Sequence, residues 1–301
     1  MATLRNKVVF ITGAGSGIGA ATARALAARG AKVILVDVDE NSLRQLADEL
    51  GPKAAISAVA DVTDLAAMQA AVDTGVNAFG GIDAVLANAG IASYGSVLHV
   101  DPVTFRRVID INVTGVFHTV RAALPHLIAR QGYVLVVSSM AAYVAGPGMA
   151  AYAASKAGVE NFANALRLEV AHQGVAVGSA HMSWIDTPLV RDSQRDLSTF
   201  TEMLDSLPGP LSKLVPVEDC AGAFVRGIER RKRRVYVPRW VGLMRWFKPA
   251  FSSAAVGRQL AETVPTTLPL MDQETAALGR FTSARNLATG VVPPGGPDAL
   301  S

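Results

Sequence analysis

The chain is poor in cysteine, in aromatic residues and in net charge. Cys220 is the one cysteine in 301 residues, so no internal disulfide can form. That fits a reducing compartment, and a cytoplasmic location is expected. A free cysteine is usually a small buried hydrophobe, and Cys220 is read that way. Aromatic residues make up 6% of the chain, against 50% for hydrophobic residues as a whole. Much of the apolar content is alanine, which suits closely packed helices better than a β-sandwich. No secretory leader is expected, because MATLRNKVVFITG runs directly into an apolar strand pattern. Residues 131–155 carry no charge. They include Gly146, Pro147 and Gly148, and their first half is β-branched. A buried strand is expected there, not a membrane span.

The formal net charge of +3 conceals a local imbalance. Nine basic residues and one acid, Glu229, lie between Arg226 and Ala250, giving +8 there and −5 over the rest. The basic run is short and the remainder acidic, so nucleic-acid binding is not expected.

Short apolar runs alternate with amphipathic stretches. Strands are predicted at Lys7–Thr12, Lys32–Val38, Ala54–Ala60, Asp83–Asn88, Gly132–Ser138, Ala176–His181 and Arg234–Val237. Most are continuous apolar runs, the pattern of strands covered on both faces. Helices are predicted at Ile18–Arg29, Asn41–Leu50, Leu65–Phe79, Pro102–Arg130 and Tyr152–His172. The alternation predicts an α/β fold: a doubly wound parallel sheet of about seven strands in one domain, residues 1–238. An extension follows over 239–301. Residues 184–216, with four prolines, are expected to form a long connection acting as a lid or binding loop. After Pro238 the strand and helix rhythm stops, and the last eleven residues are expected to be disordered.

The segment TGAGSGIG at 12–19 follows a strand and opens a helix. Gly13, Gly17 and Gly19 permit a tight turn and close approach of a phosphate to the helix N-terminus. Ser16 and Ile18 lie in the same loop. Asp37 ends the next strand. A carboxylate there accepts hydrogen bonds from the ribose hydroxyls of a dinucleotide and repels a 2′-phosphate. No Arg or Lys lies within 13–19. Both observations favour NAD over NADP.

Tyr152 and Lys156, in YAASK, are spaced to share one helix face. A phenol is a poor base at neutral pH, with a pKa of about 10. A nearby ammonium favours the phenolate, so Lys156 is expected to lower the Tyr152 pKa. The five histidines are scattered, and no metal site is expected.

TGAGSGIG, the ANAG at 87–90, Asn112, Ser139 and YAASK together resemble the short-chain dehydrogenase/reductase family. The resemblance covers roughly residues 5–238. It implies a Rossmann-type fold and an oxidoreductase. Tyr152 would be the general acid/base, with Lys156 lowering its pKa and binding the nicotinamide ribose. Ser139, rather than Ser138, would hold the substrate oxygen. Asn112 would anchor a water linking Lys156 to solvent. Asn88, Ala89 and Gly90 would stand beside the cofactor. Asp61 and Val62 would contact the adenine, and Ile185 and Thr187 the nicotinamide carboxamide. It also implies a homodimer or homotetramer paired through the two long helices.

The chain departs from the family twice. Where the family usually carries Pro-Gly after the sixth strand, this chain has Met182-Ser183. Met149, Met182, Trp184 and Leu189 would then make an apolar substrate wall, suited to a hydrophobic alcohol or ketone. The second departure is the extension, which opens RRKRRVYVPRWVGLMRWFKPAF. Arg230–Arg234 read first as a solvated helix end. The interleaved basic and aromatic residues over 230–251 also fit peripheral contact with a membrane. A dinucleotide-binding regulatory or membrane-peripheral protein with little turnover is the competing reading.

Overall fold

The computed structural model describes residues 3–251, 253, 262 and 264–291. Seven strands form one parallel sheet in the order β3-β2-β1-β4-β5-β6-β7. They are β1 (Val8–Thr12), β2 (Lys32–Asp37), β3 (Ala55–Val59), β4 (Ala84–Ala87), β5 (Tyr133–Val137), β6 (Ala176–Met182) and β7 (Arg234–Val237). Each predicted strand is present, within one or two residues at its ends. Alternate residues of each strand face opposite cores, which follows from the period-two geometry of a strand. Val8, Phe10, Ile34, Val36, Val134 and Val136 face one core. Val9, Ile11, Val33, Leu35, Leu135 and Val137 face the other. The second core holds Cys220, where burial pushes the thiol up to about 12.

The first core is covered by α3 (Leu65–Phe79), α4 (Pro102–Ile109), α5 (Gly115–Ala129) and α6 (Ala150–Val170). The second is covered by α1 (Gly17–Ala27), α2 (Glu40–Leu50) and α9 (Val217–Glu229). The helix predicted over Pro102–Arg130 is interrupted by a π-helical turn at Asp110–Thr114. Such a turn carries an extra residue and often marks a functional site. Here it turns Asn112 fully into the interior.

Two further expectations are corrected. The connection 184–216 is mostly helical: α7 (Pro188–Asp196), α8 (Ser198–Ser206) and a 3₁₀ turn at Gly209–Ser212. Pro188 occupies the first turn of α7, where its missing N–H costs nothing. The rhythm does not stop at Pro238 either. The extension contains α10 (Val241–Phe251), α11 (Val264–Leu278) and α12 (Ala284–Ala288). Of the last eleven residues, all but Val291 lie outside the described residues.

Segment 264–282 docks against the stretch after β4 and against α8. Met271 is buried with Tyr94, Leu197 and Phe200. The Asp272 carboxylate accepts from the Ser96 amide at 2.7 Å and lies 3.0 Å from His99. Arg280 pairs with Asp196 at 2.7 Å. Glu274 caps α8 from outside: its carboxylate accepts from the Ser198 amide at 2.8 Å, the Thr199 amide and both hydroxyls. Those amides open a helix and have no partner within it.

Burial would raise the Glu274 pKa, but the Ser198 and Thr199 hydrogen bonds outweigh it and hold the carboxyl below its ordinary value of 4.5. The cap's contribution is therefore complete above pH 4.5 and lost as pH falls through the lower folded value. Glu274→Gln should lower stability in urea unfolding at pH 7 by about 1–2 kcal/mol. The gap from the parent chain should close as pH falls below 4.5. An unchanged urea midpoint at pH 7 would count against this docking.

Candidate active site

The carboxyl ends of the strands open onto a cleft of about 460 Å³. It lies where the strand order reverses between β1 and β4, the usual ligand crevice of an open α/β sheet. Every predicted cofactor and pocket residue lines it except Gly19. Gly19 instead lies under the loop, and a Cβ there would come within 2.0 Å of the Gly13 carbonyl oxygen. Gly13 and Gly17 have φ of +64° and +52°, a region that glycine enters without strain.

Asp37 closes one end of the loop. One carboxylate oxygen accepts from the Gly15 amide at 2.9 Å, the other from the Val38 and Asp39 amides at 2.8 and 3.3 Å. A carboxylate offers about four acceptor positions. Capacity remains for a hydroxyl in the cleft, which fits the ribose of a dinucleotide. A Cβ on Gly15 would meet Asp37 at 3.0 Å, so this cradle has no room for a side chain. Asn88 ties the loop to β4: its amide donates to the Thr12 and Gly13 carbonyls at 3.0 and 3.1 Å. Thr12 completes the tie, its hydroxyl accepting from the Asn88 and Ala89 amides. The sequence reading did not single out Thr12; its place directly before the glycines was the available signal.

Ser139, Tyr152 and Lys156 meet at the other end. The Ser139 oxygen accepts from the Ala141 amide at 3.1 Å, which leaves its proton free to donate. Ser138 spends its hydroxyl on the Lys156 carbonyl at 2.8 Å. The Lys156 ammonium donates to the Val137 carbonyl at 3.1 Å and lies 5.6 Å from the centre of the Tyr152 ring. Burial pushes the Lys156 pKa down to about 8. The Tyr152 pKa is raised, not lowered: burial dominates, opposed by a hydrogen bond with Ser139. The Lys156 ammonium faces the Tyr152 ring.

Asn112 sits behind the cleft. Its amide donates to the Ile91 carbonyl and the Ser155 hydroxyl, both at 2.9 Å, and its oxygen accepts from the Ile91 amide at 2.8 Å. Ser155 in turn donates to the Tyr152 carbonyl at 2.7 Å. The Asn112 side chain thus fixes the frame holding Tyr152 and has no amide proton left over for a water. A Cβ on Gly90 would lie 3.1 Å from the Asn112 oxygen and 3.2 Å from the Lys156 nitrogen, so Gly90 keeps the two groups close.

Asp61 lines the cleft but is already engaged. It accepts from the Thr63 amide and hydroxyl, both at 2.8 Å, and pairs with Arg107. Burial works to raise its pKa, but these bonds outweigh it and hold the carboxyl below its ordinary value. His181 is a packed residue. It is fully buried, stacked on Tyr143 at 4.7 Å, with Nε2 2.9 Å from the Ser179 hydroxyl. Burial pushes its pKa down to about 3, so it is neutral. Among the described residues no group of three or more His, Cys, Asp or Glu could hold a metal.

The substrate end is apolar. Met149, Trp184 and Met203 pack around Phe200, with Trp184 edge-on to Phe200 at 5.4 Å. At the Met182-Ser183 turn the Ser183 amide donates to the Val237 carbonyl at 2.8 Å. The strand therefore runs on through the turn without a positive φ. The Ser183 hydroxyl and the Trp184 indole N–H are buried without a partner among the described residues. Residues the sequence did not suggest also line the cleft: Met244 of α10, and Arg285, Asn286, Thr289 and Val291 of the extension.

Comparison with known proteins agrees with this geometry. The family model for short chain dehydrogenases matches residues 7–198. The (-)-trans-carveol dehydrogenase of Rhodococcus erythropolis is 40% identical over 209 residues, covering 64% of this chain and 76% of that protein. The trans-4-hydroxycyclohexanecarboxylate dehydrogenase of Sinomonas cyclohexanicum is 34% identical over 217 residues, covering 69% and 84%. A short chain dehydrogenase/reductase from Burkholderia phymatum, solved in complex with NAD, superposes with a TM-score of 0.72 at 26% identity, covering 81% of this chain and 94% of that one. The chain has the seven-stranded parallel sheet, the glycine loop and the Ser-Tyr-Lys set in one cleft, and it belongs to the short-chain dehydrogenase/reductase family of oxidoreductases.

Proposed function

We propose that the protein interconverts a hydrophobic secondary alcohol and its ketone with NAD(H), using Tyr152 as general acid/base. The observation that carries this reading is the meeting of Ser139, Tyr152 and Lys156, the ammonium 5.6 Å from the ring centre, at one end of the cleft that Asp37 and the glycine loop close at the other. When bound, the nicotinamide accepts or delivers the hydride. Ser139 donates to the substrate oxygen and orients it. Tyr152 takes the alcohol proton during oxidation and returns it during reduction. A raised phenol pKa suits the acid role; for oxidation, charge at Lys156 is what makes proton removal easier. Asn112 keeps this helix turn in place through Ser155.

Apolar walls at Met149, Met182, Trp184 and Leu189 favour a bulky apolar substrate, and both dehydrogenase relatives are named for substituted six-membered rings. The two unpartnered donors at Ser183 and Trp184 would suit a second oxygen on that ring. The exposed Phe105, Phe117 and Leu168 on α4, α5 and α6 support pairing of two copies through the long helices. Tyr152→Phe should reduce turnover of cyclic secondary alcohols at least ~100-fold while NADH still binds. Near-normal turnover would sink the assignment.

A membrane-peripheral setting is a second reading, narrower than the sequence suggested. The basic run and the aromatic helix lie at opposite ends of β7, separated by roughly 13 Å of strand. Arg231 at the lower end donates to the Gly132 and Gly174 carbonyls. Within 230–251, α10 offers an apolar outer face: Leu243, Trp246 and Phe247 are 56%, 73% and 54% exposed and lie within one helical turn. No helix among the described residues is long and apolar enough to cross a membrane. Met244, on the same helix, reaches the cleft, which would place its mouth at the lipid surface. Vesicles containing anionic lipid should pellet the parent chain and not the Leu243→Ser/Trp246→Ser/Phe247→Ser variant. Equal pelleting of the two would remove this reading.

A further inference from the structure

We propose that Arg285, in the C-terminal extension, is a ligand for the pyrophosphate of the bound dinucleotide. This rests on the dinucleotide reading of the cleft and adds a residue outside the part of the chain that the family model matches.

The charges around the cleft pose the problem that Arg285 solves. Asp37, Asp39 and Asp61 line it, and the loop 13–19 has no cation. A pyrophosphate carries two negative charges. Loop amides and the start of α1 can meet part of that demand. Among the described lining residues, Lys156 and Arg285 are the cations. Lys156 is 4% exposed and committed to the Val137 carbonyl beside Tyr152. Arg285 is the cation left for the middle of the cleft.

Its position fits. The Arg285 Nε lies 3.5 Å from Asp192 on α7, the helix that Thr187 opens. On the other side stands Asp39, at the start of α2. The Asp39 carboxyl is held below its ordinary value first by the Ser42 hydroxyl and amide, and in smaller part by the charge of Arg285. The guanidinium therefore lies beside Asp192, in the lining of the cleft and within electrostatic reach of Asp39. Gly17, in the same cleft lining, stands against Thr187: a Cβ there would touch Thr187 at 3.5 Å. Arg285 has five N–H donors, and the long contact to Asp192 occupies one. A planar fork of donors is suited to a phosphate. Its neighbours are already engaged: Asn286 donates to the Thr282 hydroxyl at 2.7 Å, and Thr289 to the Arg285 carbonyl at 3.0 Å.

The segment is held at both ends, so Arg285 is presented rather than trailing. At one end the Tyr94 amide donates to the Phe281 carbonyl at 2.9 Å, and the Thr282 hydroxyl donates to the Ala92 carbonyl at 2.9 Å. At the other, Arg107 donates to the Val291 carbonyl while also holding Asp61 and Thr63. Leu287 and Val291 pack on the first core.

The test is calorimetric titration of the full-length protein with ADP and with adenosine, which shares the base and ribose but has no phosphate. Arg285→Gln should weaken ADP about tenfold, the scale of one partly hydrated charge-assisted hydrogen bond. Adenosine affinity should stay within about twofold, which also shows that the cleft remains folded. Asp192→Asn removes the partner of Arg285 and keeps the guanidinium; it should leave ADP binding unchanged or tighter. Equal weakening of ADP and adenosine by Arg285→Gln, unchanged ADP binding in that variant, or weakening by Asp192→Asn as large as by Arg285→Gln would each overturn the proposal. If the parent chain binds neither NADH nor ADP, the dinucleotide reading itself falls, and this inference with it.

Discussion

Two hydrogen bonds from the Asn88 side chain, to the Thr12 and Gly13 carbonyls, tie β4 to β1 where the order of the sheet reverses. At that point adjacent strands send their chains to opposite faces, and a crevice must open. Without a tie, the glycine loop would have no fixed path above it. With it, Gly13 is held against Ala89, and Gly19 passes beneath with no room for a side chain. Asp37, one strand away, then fastens Gly15. The path of the glycine loop is thus an outcome of strand order and backbone bonding.

The catalytic end depends on a second frame of the same kind. The π turn at Asp110–Thr114 directs Asn112 inward, where it bonds Ile91 after β4 and Ser155 on α6. That frame fixes Tyr152 relative to the cofactor crevice. Burial has a cost for the chemistry, since it disfavours both the phenolate and the ammonium. The protein sets this against a short reach between Ser139, Tyr152 and Lys156 in an enclosed site, where electrostatic interactions are strong.

Much of this was legible in the sequence. Strands covered on both faces read as continuous apolar runs, and all seven strands stand where those runs predict. The cleft-lining residues followed from motifs with local spacing: TGAGSGIG, ANAG and YAASK. What could not be read depended on contacts between distant segments. The extension looked irregular because its helices carry Pro249 and Pro269 and are stabilised by docking, not by propensity. Glu274 capping α8 links residues 76 apart and has no local signature. Arg285 reaches the cleft for the same reason. The burial that raises the Tyr152 pKa has no signature in the local spacing of YAASK.

The central claim is that the crevice between β1 and β4 holds a dinucleotide selected by Asp37. Its most direct test is titration of the protein with NADH and NADPH, following energy transfer from the tryptophans, of which Trp184 lines the cleft. NADH should bind at least ~10-fold tighter than NADPH, because a 2′-phosphate would be set against the Asp37 carboxylate. Asp37→Ala should narrow that ratio toward unity. Equal or tighter binding of NADPH by the parent chain would contradict the account.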